Sequence, residues 1–244
     1  MAIRLVFSAN LLIGLRLLCC LCLFALVAPA QPENIYGSVK ASQGGTGKTF
    51  AGREIASVMS WRGAGWLERP ERQAEERPDL LLNALDLKPG MVVADVGTGS
   101  GYYARRLAAG VGPKGKVYAV DTQADMLGLL KKQQTTEGQG TIVPVLASET
   151  ALGLPEQSLD LAILVDVYHE LLYPVEVMAS LAASMKPGGQ IVLIEYRAED
   201  PAVPIKTLHK MSEAQIKKEA ALLGLVWVKT IAVLPWQHLV ILKK

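Results

Sequence analysis

The sequence predicts an α/β fold: a doubly wound, mostly parallel sheet of seven strands that ends in a C-terminal antiparallel hairpin and follows an N-terminal helical cap. From residue 91 onward, short runs rich in Val, Ile and Leu alternate with helical patterns. The connections between them are short, which is typical of a parallel sheet covered on both faces. The last two apolar runs are close enough in the sequence to pair antiparallel.

Each element follows from a local pattern. A buried strand is a short continuous apolar run, whereas a helix places apolar residues three to four positions apart. The predicted strands span 91–96, 116–121, 141–146, 160–165, 190–196, 226–233 and 237–242. The predicted helices span 79–87, 102–109, 124–134, 172–185 and 213–223. Pro78 stands where the first of these helices begins, a position that proline favours.

The composition excludes several classes of protein. Of the 244 residues, 50% are hydrophobic and 20% are charged, which is incompatible with an intrinsically disordered chain. The formal net charge of +2 gives no reason to expect nucleic-acid binding. All three cysteines, Cys19, Cys20 and Cys22, lie near the amino terminus. The rest of the chain therefore has no thiolate for a disulfide or a metal site.

Residues 1–30 have the pattern of a secretory signal peptide. Arg4 and Arg16 are their charged residues, an apolar run spans 17–28, and small residues precede Gln31. The run is shorter than the roughly 20 residues of a membrane-spanning helix. We therefore expect an exported, periplasmic protein without stable membrane insertion after cleavage. An uncleaved N-terminal anchor facing the periplasm and a misassigned start are the alternatives.

Residues 31–78 are predicted to form an N-terminal arm and a helical cap or lid. The stretch 31–50 is rich in Gly, Ser and Gln and is typical of a linker, whereas 50–61 has helical spacing. Trp61 and Trp66 lie among arginines and glycines. This segment is equally compatible with a lid over a binding site and with a cap that shields the sheet edge. Residues 79–244 then form the main domain.

A glycine-rich turn follows the first predicted strand of that domain. The sequence reads Asp-Val-Gly-Thr-Gly-Ser-Gly over 95–101 and leads directly into a helix. Glycine allows positive φ and lets the backbone approach a ligand closely. A dinucleotide fingerprint would need its third glycine at Tyr102, so the spacing differs from that motif. Asp121 ends the next strand, where a carboxylate can accept both hydroxyls of a ribose.

Four motifs in order resemble the class I S-adenosylmethionine-dependent methyltransferases, a family with a Rossmann-like fold. They are the glycine turn at 95–101, the pair Val120-Asp121, the stretch 152–160 (LGLPEQSLD) and the stretch 185–193 (MKPGGQIVL). Together they cover residues 80–195. In addition, residues 50–78 are similar to the N-terminal extension of a group of exported bacterial methyltransferases.

The resemblance implies S-adenosyl-L-methionine as the cofactor. It assigns cofactor contacts to Asp95, Gly97, Thr98, Gly99, Gly101, Asp121, Thr122, Ser148, Glu149 and Asp166. The glycines would face the methionine part, Asp121 would hold the ribose, and Asp166 would lie near the transferable methyl group. The family usually has an Asp beside the adenine amine. Here the aligned residue is Ser148, followed by Glu149, and this is a departure from the family pattern.

Asp166, Tyr168 and His169 follow the fourth predicted strand and are the candidate catalytic residues. Methyl transfer mainly requires alignment of a nucleophile with the methyl group. A base is needed only if the acceptor must lose a proton, and histidine suits that task near neutral pH. Alternatively, His169 packs beneath the next helix and donates to a backbone carbonyl. With three histidines and no cysteine in the main domain, no metal site is expected.

The expected reaction is methyl transfer to a small-molecule acceptor, with no nucleic-acid partner. A protein acceptor is an alternative, because Tyr102 and Tyr103 after the turn are similar to the isoaspartyl-repair enzymes, whose other signatures are absent. A non-catalytic exported protein that binds S-adenosylmethionine or a nucleoside is the alternative from another class. The acceptor atom and the oligomeric state do not follow from the sequence.

Overall fold

A computed structural model describes residues 35–132 and 138–244, which lie in the compact unit Asn34–Lys244. The strands are β1 Tyr36–Ser38, β2 Gly45–Phe50, β3 Arg53–Ala56, β4 Val92–Val96, β5 Lys116–Asp121, β6 Thr141–Leu146, β7 Leu159–Val165, β8 Met185–Arg197, β9 Lys210–Met211, β10 Val226–Ile231 and β11 Gln237–Lys243. The helices are α1 Ala64–Leu67, α2 Arg72–Glu75, α3 Pro78–Ala84, α4 Tyr102–Val111, α5 Ala124–Lys131, α6 Pro174–Ser184 and α7 Glu213–Leu222. Short 3₁₀ helices span Trp61–Gly63, Tyr168–Glu170 and Thr207–His209.

The predicted fold class is confirmed. In the described part of the chain, the main sheet has the order β10-β11-β8-β7-β4-β5-β6, and the two-residue strand β9 pairs with β8. Strands β4 to β8 are parallel, whereas β11 is antiparallel to both β8 and β10. Separate apolar cores cover the two faces of the sheet. The strand order reverses between β4 and β7, which opens a crevice at the carboxyl edge.

The prediction for the N-terminal region is wrong in part. Residues assigned to a linker and to a helix over 50–61 form the three-stranded antiparallel sheet β1-β2-β3. Ala51 and Gly52 both have positive φ and form a two-residue connection between β2 and β3, the geometry that favours a tight hairpin. This turn chemistry, rather than the apolar spacing, determines the local structure. The helical part of the cap is limited to the 3₁₀ turn Trp61–Gly63 and to α1 and α2.

The predicted signal peptide, residues 1–30, lies outside the described residues, as does the predicted end of α5 at residue 134. No helix in the described ranges has both the length and the apolar character needed to cross a membrane.

Candidate active site

A cavity of about 710 Å³ lies at the carboxyl edge of the main sheet. Residues at the ends of four neighbouring parallel strands line it: Gly97 after β4, Asp121 at the end of β5, Ala147 after β6 and Asp166 after β7. This is the edge at which open α/β sheets bind their ligands. The volume is within the range of roughly 300–1,000 Å³ that is usual for small-molecule sites.

The glycine-rich turn brings the backbone to the cavity. Gly97 and Gly99 line it and have φ values of 72° and 56°, a region that other residues rarely adopt. A Cβ atom at Gly97 would lie 2.5 Å from the side chain of Val167, and one at Gly99 would lie 2.6 Å from Leu67. Positive φ favours glycine at both positions, and at Gly97 the side chain of Val167 also leaves no space for a Cβ atom.

Asp95, Thr98 and Gly101 support this turn from behind and do not line the cavity. The hydroxyl of Thr98 donates to Oδ2 of Asp95 at 2.7 Å, and both side chains are buried. Burial raises the pKa of Asp95 to about 6, although the hydrogen bond from Thr98 opposes this shift. Gly101 precedes α4 with a φ of 86°, and a Cβ there would meet Leu130 instead of a ligand.

Asp121 connects β5 to the turn. Its Oδ2 accepts from the amide of Gly99 at 2.9 Å, and its Oδ1 accepts from the amide of Gln123 at 2.8 Å. Burial raises its pKa, while these two amides act in the opposite direction. Because each carboxylate oxygen can accept more than one hydrogen bond, Asp121 keeps acceptor capacity for a ligand hydroxyl. Thr122, Ser148 and Glu149 line the same cavity.

Asp166 lies deeper in the cavity wall. It has a φ of 55°, and its Oδ2 accepts from Nε2 of Gln237 at 2.6 Å. Its Oδ1 is buried and has no hydrogen-bond partner among the described residues. Burial raises the pKa of Asp166 well above its usual range, and the charges of Glu76 and Glu195 add to this shift. The surroundings of Asp166 therefore favour its neutral form more than water does.

A cluster of two histidines and two carboxylates also lies at the cavity. Nδ1 of His169 lies 2.5 Å from Oε2 of Glu195, and its Nε2 lies 3.0 Å from Nδ1 of His209. Oε1 of Glu170 is 3.1 Å from His209 Nδ1 and 3.8 Å from His169 Nε2. The side chains of His169, Glu170 and His209 line the cavity, and Glu195 lies behind them, fully buried.

The carboxylates control the protonation of this cluster. Burial alone would lower the pKa of His169, but the charge of Glu195, together with Glu170, raises it to about 10. Burial alone would likewise raise the pKa of Glu170, but hydrogen bonds from His169 and His209 lower it to about 2. An imidazole that holds its proton at neutral pH is a donor, which differs from the general base predicted at His169.

Tyr168 is not part of the cavity wall. Its side chain is buried in the apolar core on one face of the sheet. The centre of its ring lies 5.8 Å from Cζ of Arg53. The catalytic role predicted for Tyr168 therefore has no geometric basis: the 3₁₀ turn Tyr168–Glu170 directs the next two side chains, and not the tyrosine, to the cavity.

Comparisons with known proteins agree with this geometry. Residues 94–193 match the family model described as "Methyltransferase domain". A solved S-adenosylmethionine-dependent methyltransferase from Aquifex aeolicus superposes with a TM-score of 0.70 and 26% identity, covering 76% of this chain and 98% of that one. The matched region is a class I S-adenosylmethionine-dependent methyltransferase domain.

Two curated relatives extend the comparison. The ubiquinone/menaquinone biosynthesis C-methyltransferase UbiE of Bordetella avium is 29% identical over 121 residues, which is 49% of this chain and 46% of the relative. The protein-L-isoaspartate O-methyltransferase of Aeropyrum pernix is 29% identical over 155 residues, 58% of this chain and 55% of the relative. The chain thus spans about half the length of the curated relatives that it matches.

The cofactor of this methyltransferase domain is S-adenosylmethionine, and the cavity has features that fit it. The buried Oδ1 of Asp166 lacks a donor among the described residues, and the ammonium group of a methionine moiety is such a donor. Asp121 has acceptor capacity beside the glycine turn. The cavity also has the volume of a small-molecule site, and most of its lining is apolar.

Part of the N-terminal segment lines the cavity, which is compatible with a lid. Met59, Trp66, Leu67 and Arg72 all line it. The side chain of Gln123 holds the segment at one end, donating from Nε2 to the carbonyl of Met59 and accepting from the amide of Trp61, each at 2.9 Å. This lid is defined here as residues 57–72.

Sequence reasoning missed several residues of the site. Arg72 belongs to none of the sequence motifs, yet it is buried and lines the cavity. Its Nε donates to Oε2 of Glu76 at 2.7 Å. Glu170 contacts both histidines of the cluster, although its position at the start of a helical turn gives no sign of this. Glu195 and His209 pair with His169 through contacts across 26 and 40 residues of sequence, which no local motif reveals.

Proposed function

We propose that this protein transfers the methyl group of S-adenosylmethionine to a small-molecule acceptor bound in the same cavity. The observation that supports this proposal best is that the glycine turn and Asp121 line the same cavity as His169, Glu170 and His209. A cofactor held at the first group and an acceptor held at the second would therefore share one cavity. Methyl transfer depends mainly on alignment of the acceptor with the methyl group.

We assign the cofactor contacts by position. Gly97, Gly99 and Asp166 would hold the methionine part, and Asp121 with Thr122 would hold the ribose. Ser148 and Glu149 would lie beside the adenine. Ser148 Oγ accepts from the amides of Thr150 and Ala151 at 3.3 and 2.9 Å and therefore orders its own loop. When bound, the cofactor supplies an electrophilic methyl group on a sulfonium.

The chain's own residues orient the acceptor and exclude water. Leu67 of the lid lies next to Gly99, and Trp66 lines the same cavity, which favours a small acceptor over a protein side chain on a large surface. His169, fixed by Glu195, lines the cavity together with His209. The two relatives are named for ubiquinone/menaquinone biosynthesis and for protein L-isoaspartate. We propose neither as the acceptor of this protein.

The test is a direct assay for turnover. Purified protein is incubated with S-adenosylmethionine and a metabolite extract, and mass spectrometry measures S-adenosylhomocysteine together with products that have gained one methylene. We expect both to appear, and to fall sharply in Asp121→Asn. If calorimetry shows cofactor binding but no S-adenosylhomocysteine forms with any extract, the non-catalytic binding alternative replaces this proposal.

A further inference from the structure

Three potential metal ligands converge on one point of the cavity wall. They are Nε2 of His169, Nδ1 of His209 and Oε1 of Glu170, and the distances between them are 3.0, 3.1 and 3.8 Å. A point equidistant from these three atoms lies about 2 Å from each, which is the length of a zinc bond to imidazole nitrogen or carboxylate oxygen. Two imidazoles and one carboxylate, with a further position open, are a common catalytic metal set.

A second layer of contacts fixes these ligands. Glu195 lies 2.5 Å from Nδ1 of His169 and also accepts from the amide of Tyr168 at 2.9 Å, so the imidazole directs Nε2 to the cluster. Metal-binding histidines commonly donate their other ring nitrogen to a carboxylate in this way. The other oxygen of Glu170, Oε2, accepts from the amide of Met59 in the lid at 3.2 Å. The cluster is thus ordered before any ion binds.

The charge of the cluster also suits a cation. Glu170 and Glu195 are both buried or nearly so, and within the described ranges neither forms a salt bridge with a lysine or arginine. Their ion-pair contacts are to the two histidines. The two carboxylates supply negative charge beside the three potential ligands, and a divalent ion would balance that charge.

We propose that His169, Glu170 and His209 bind one divalent transition-metal ion of the zinc class, with an open coordination position toward the cavity. This inference rests on the proposed methyl transfer and narrows its acceptor to a molecule with a hydroxyl or thiol group. Coordination lowers the pKa of such a group, as it does for metal-bound water.

The step balances as follows. The O–H or S–H bond of the coordinated acceptor breaks, and the proton goes to water. A bond forms between that oxygen or sulfur and the methyl carbon while the carbon–sulfur bond of the sulfonium breaks. The electron pair of that bond stays on sulfur, and neutral S-adenosylhomocysteine leaves.

The experiment measures metal binding by the full chain without cofactor. The protein is treated with a chelator, dialysed, and equilibrated with Zn²⁺ for elemental analysis or with Co²⁺ for its visible absorption spectrum. We expect one ion per chain. Bound Co²⁺ should show the intense visible absorption that is typical of a low coordination number. His209→Ala and Glu170→Gln should each lose more than about 100-fold in affinity, and Glu195→Gln about 10–100-fold, because it acts through His169.

His238→Gln is the matched control. His238 is the remaining histidine of the sequence, and it bonds to the carbonyl of Met211 at 3.1 Å, outside the cluster. This variant should keep wild-type stoichiometry and affinity. Circular dichroism and the thermal midpoint of each variant show whether it has folded, and the partly exposed His209 is the substitution least disturbing to the core.

Two results would overturn the site: wild-type protein that retains no ion after dialysis, or a folded His209→Ala that binds Zn²⁺ and Co²⁺ like the wild type. In either case the cluster is a hydrogen-bonded histidine pair. Metal binding is measured without S-adenosylmethionine, so it is independent of the proposed function. A protein that binds the ion but forms no S-adenosylhomocysteine would retain the metal site and lose the methyl-transfer proposal.

Discussion

At the scale of single residues, Asp121 is the predicted cofactor contact that the local hydrogen bonds support most directly. Its two oxygens each accept one backbone amide and retain acceptor capacity. Asp121→Asn removes a charged acceptor, which is worth about 1.5–3 kcal/mol. We predict a tenfold to hundredfold loss of S-adenosylmethionine affinity, measured by calorimetry. Asp125→Asn, on the exposed first turn of α5, is the control. Equal affinities in the two variants would contradict the assignment.

Asp95 gives a prediction about pH. Burial raises its folded pKa to about 6, against 3.8 in an unfolded chain. Between these values the folded state binds more protons, so the free energy of unfolding falls as the pH rises through this window. Asp95→Asn keeps an acceptor for Thr98 and should flatten the dependence between about pH 4 and pH 6. Chemical denaturation at several pH values measures this. An unchanged slope would mean that Asp95 is not the group responsible.

Some site residues could be predicted and others could not, for a physical reason. Gly97, Gly99 and Asp121 belong to one strand–helix–strand unit, β4-α4-β5, whose local spacing determines their positions. The contact between Glu195 and His169 requires β7 and β8 to align in register, which no local pattern encodes. Arg72 reaches the cavity because the lid folds back over the sheet.

At the scale of elements, local patterns also predict some features, while others depend on turns and on pairing with distant strands. The predicted bounds of β5 and β6 agree with the structure at both ends, since their apolar runs are bordered by turns. The predicted helix over 50–61 is wrong because Ala51 and Gly52 turn the chain into a hairpin. Strand β8 contains an irregularity over 186–189, where its pairing with β7 shifts. The spacing of apolar residues does not predict this shift.

The lid is the element whose role can be measured directly. Gln123 makes two hydrogen bonds to its backbone, at Met59 and Trp61. Each is worth about 1 kcal/mol, so Gln123→Ala should release this end of the lid. We predict faster proteolysis within 57–72 and about tenfold weaker cofactor binding, by limited digestion and calorimetry. Gln73→Ala, an exposed glutamine that bonds to Asp79, is the control. Identical digestion of both variants would show that Gln123 does not hold the lid.

At the scale of the whole molecule, the first question is where the protein works. The pattern of residues 1–30 predicts export and cleavage before Gln31. We expect the intact mass of protein recovered from its native host to begin at Gln31 and the protein to fractionate with the periplasm. A mass that retains Met1, in the cytosolic fraction, would contradict export. An exported methyltransferase would also need a supply of S-adenosylmethionine outside the cytosol.

The second question is what holds the N-terminal sheet to the main domain. Arg53 on β3 pairs with Glu219 on α7 through two bonds of 2.7 and 2.9 Å, and Glu219 is fully buried. Nη1 of Arg53 also donates to the carbonyl of His169 at 3.0 Å, which links this sheet to the active-site cluster. The pair therefore connects three parts of the molecule.

Breaking this buried pair should lower the free energy of unfolding substantially. Arg53→Met leaves a buried carboxylate without its cation, so we predict a loss of about 3–5 kcal/mol in the free energy of unfolding. Adding Glu219→Leu removes that charge and should restore much of the loss. Lys217→Met breaks an exposed pair with Glu213 on the same helix and should cost at most about 1 kcal/mol. Denaturant unfolding compares all three. If Arg53→Met and Lys217→Met cost the same, the buried pair does not secure the N-terminal sheet, and its packing against the domain must rest on apolar contacts alone.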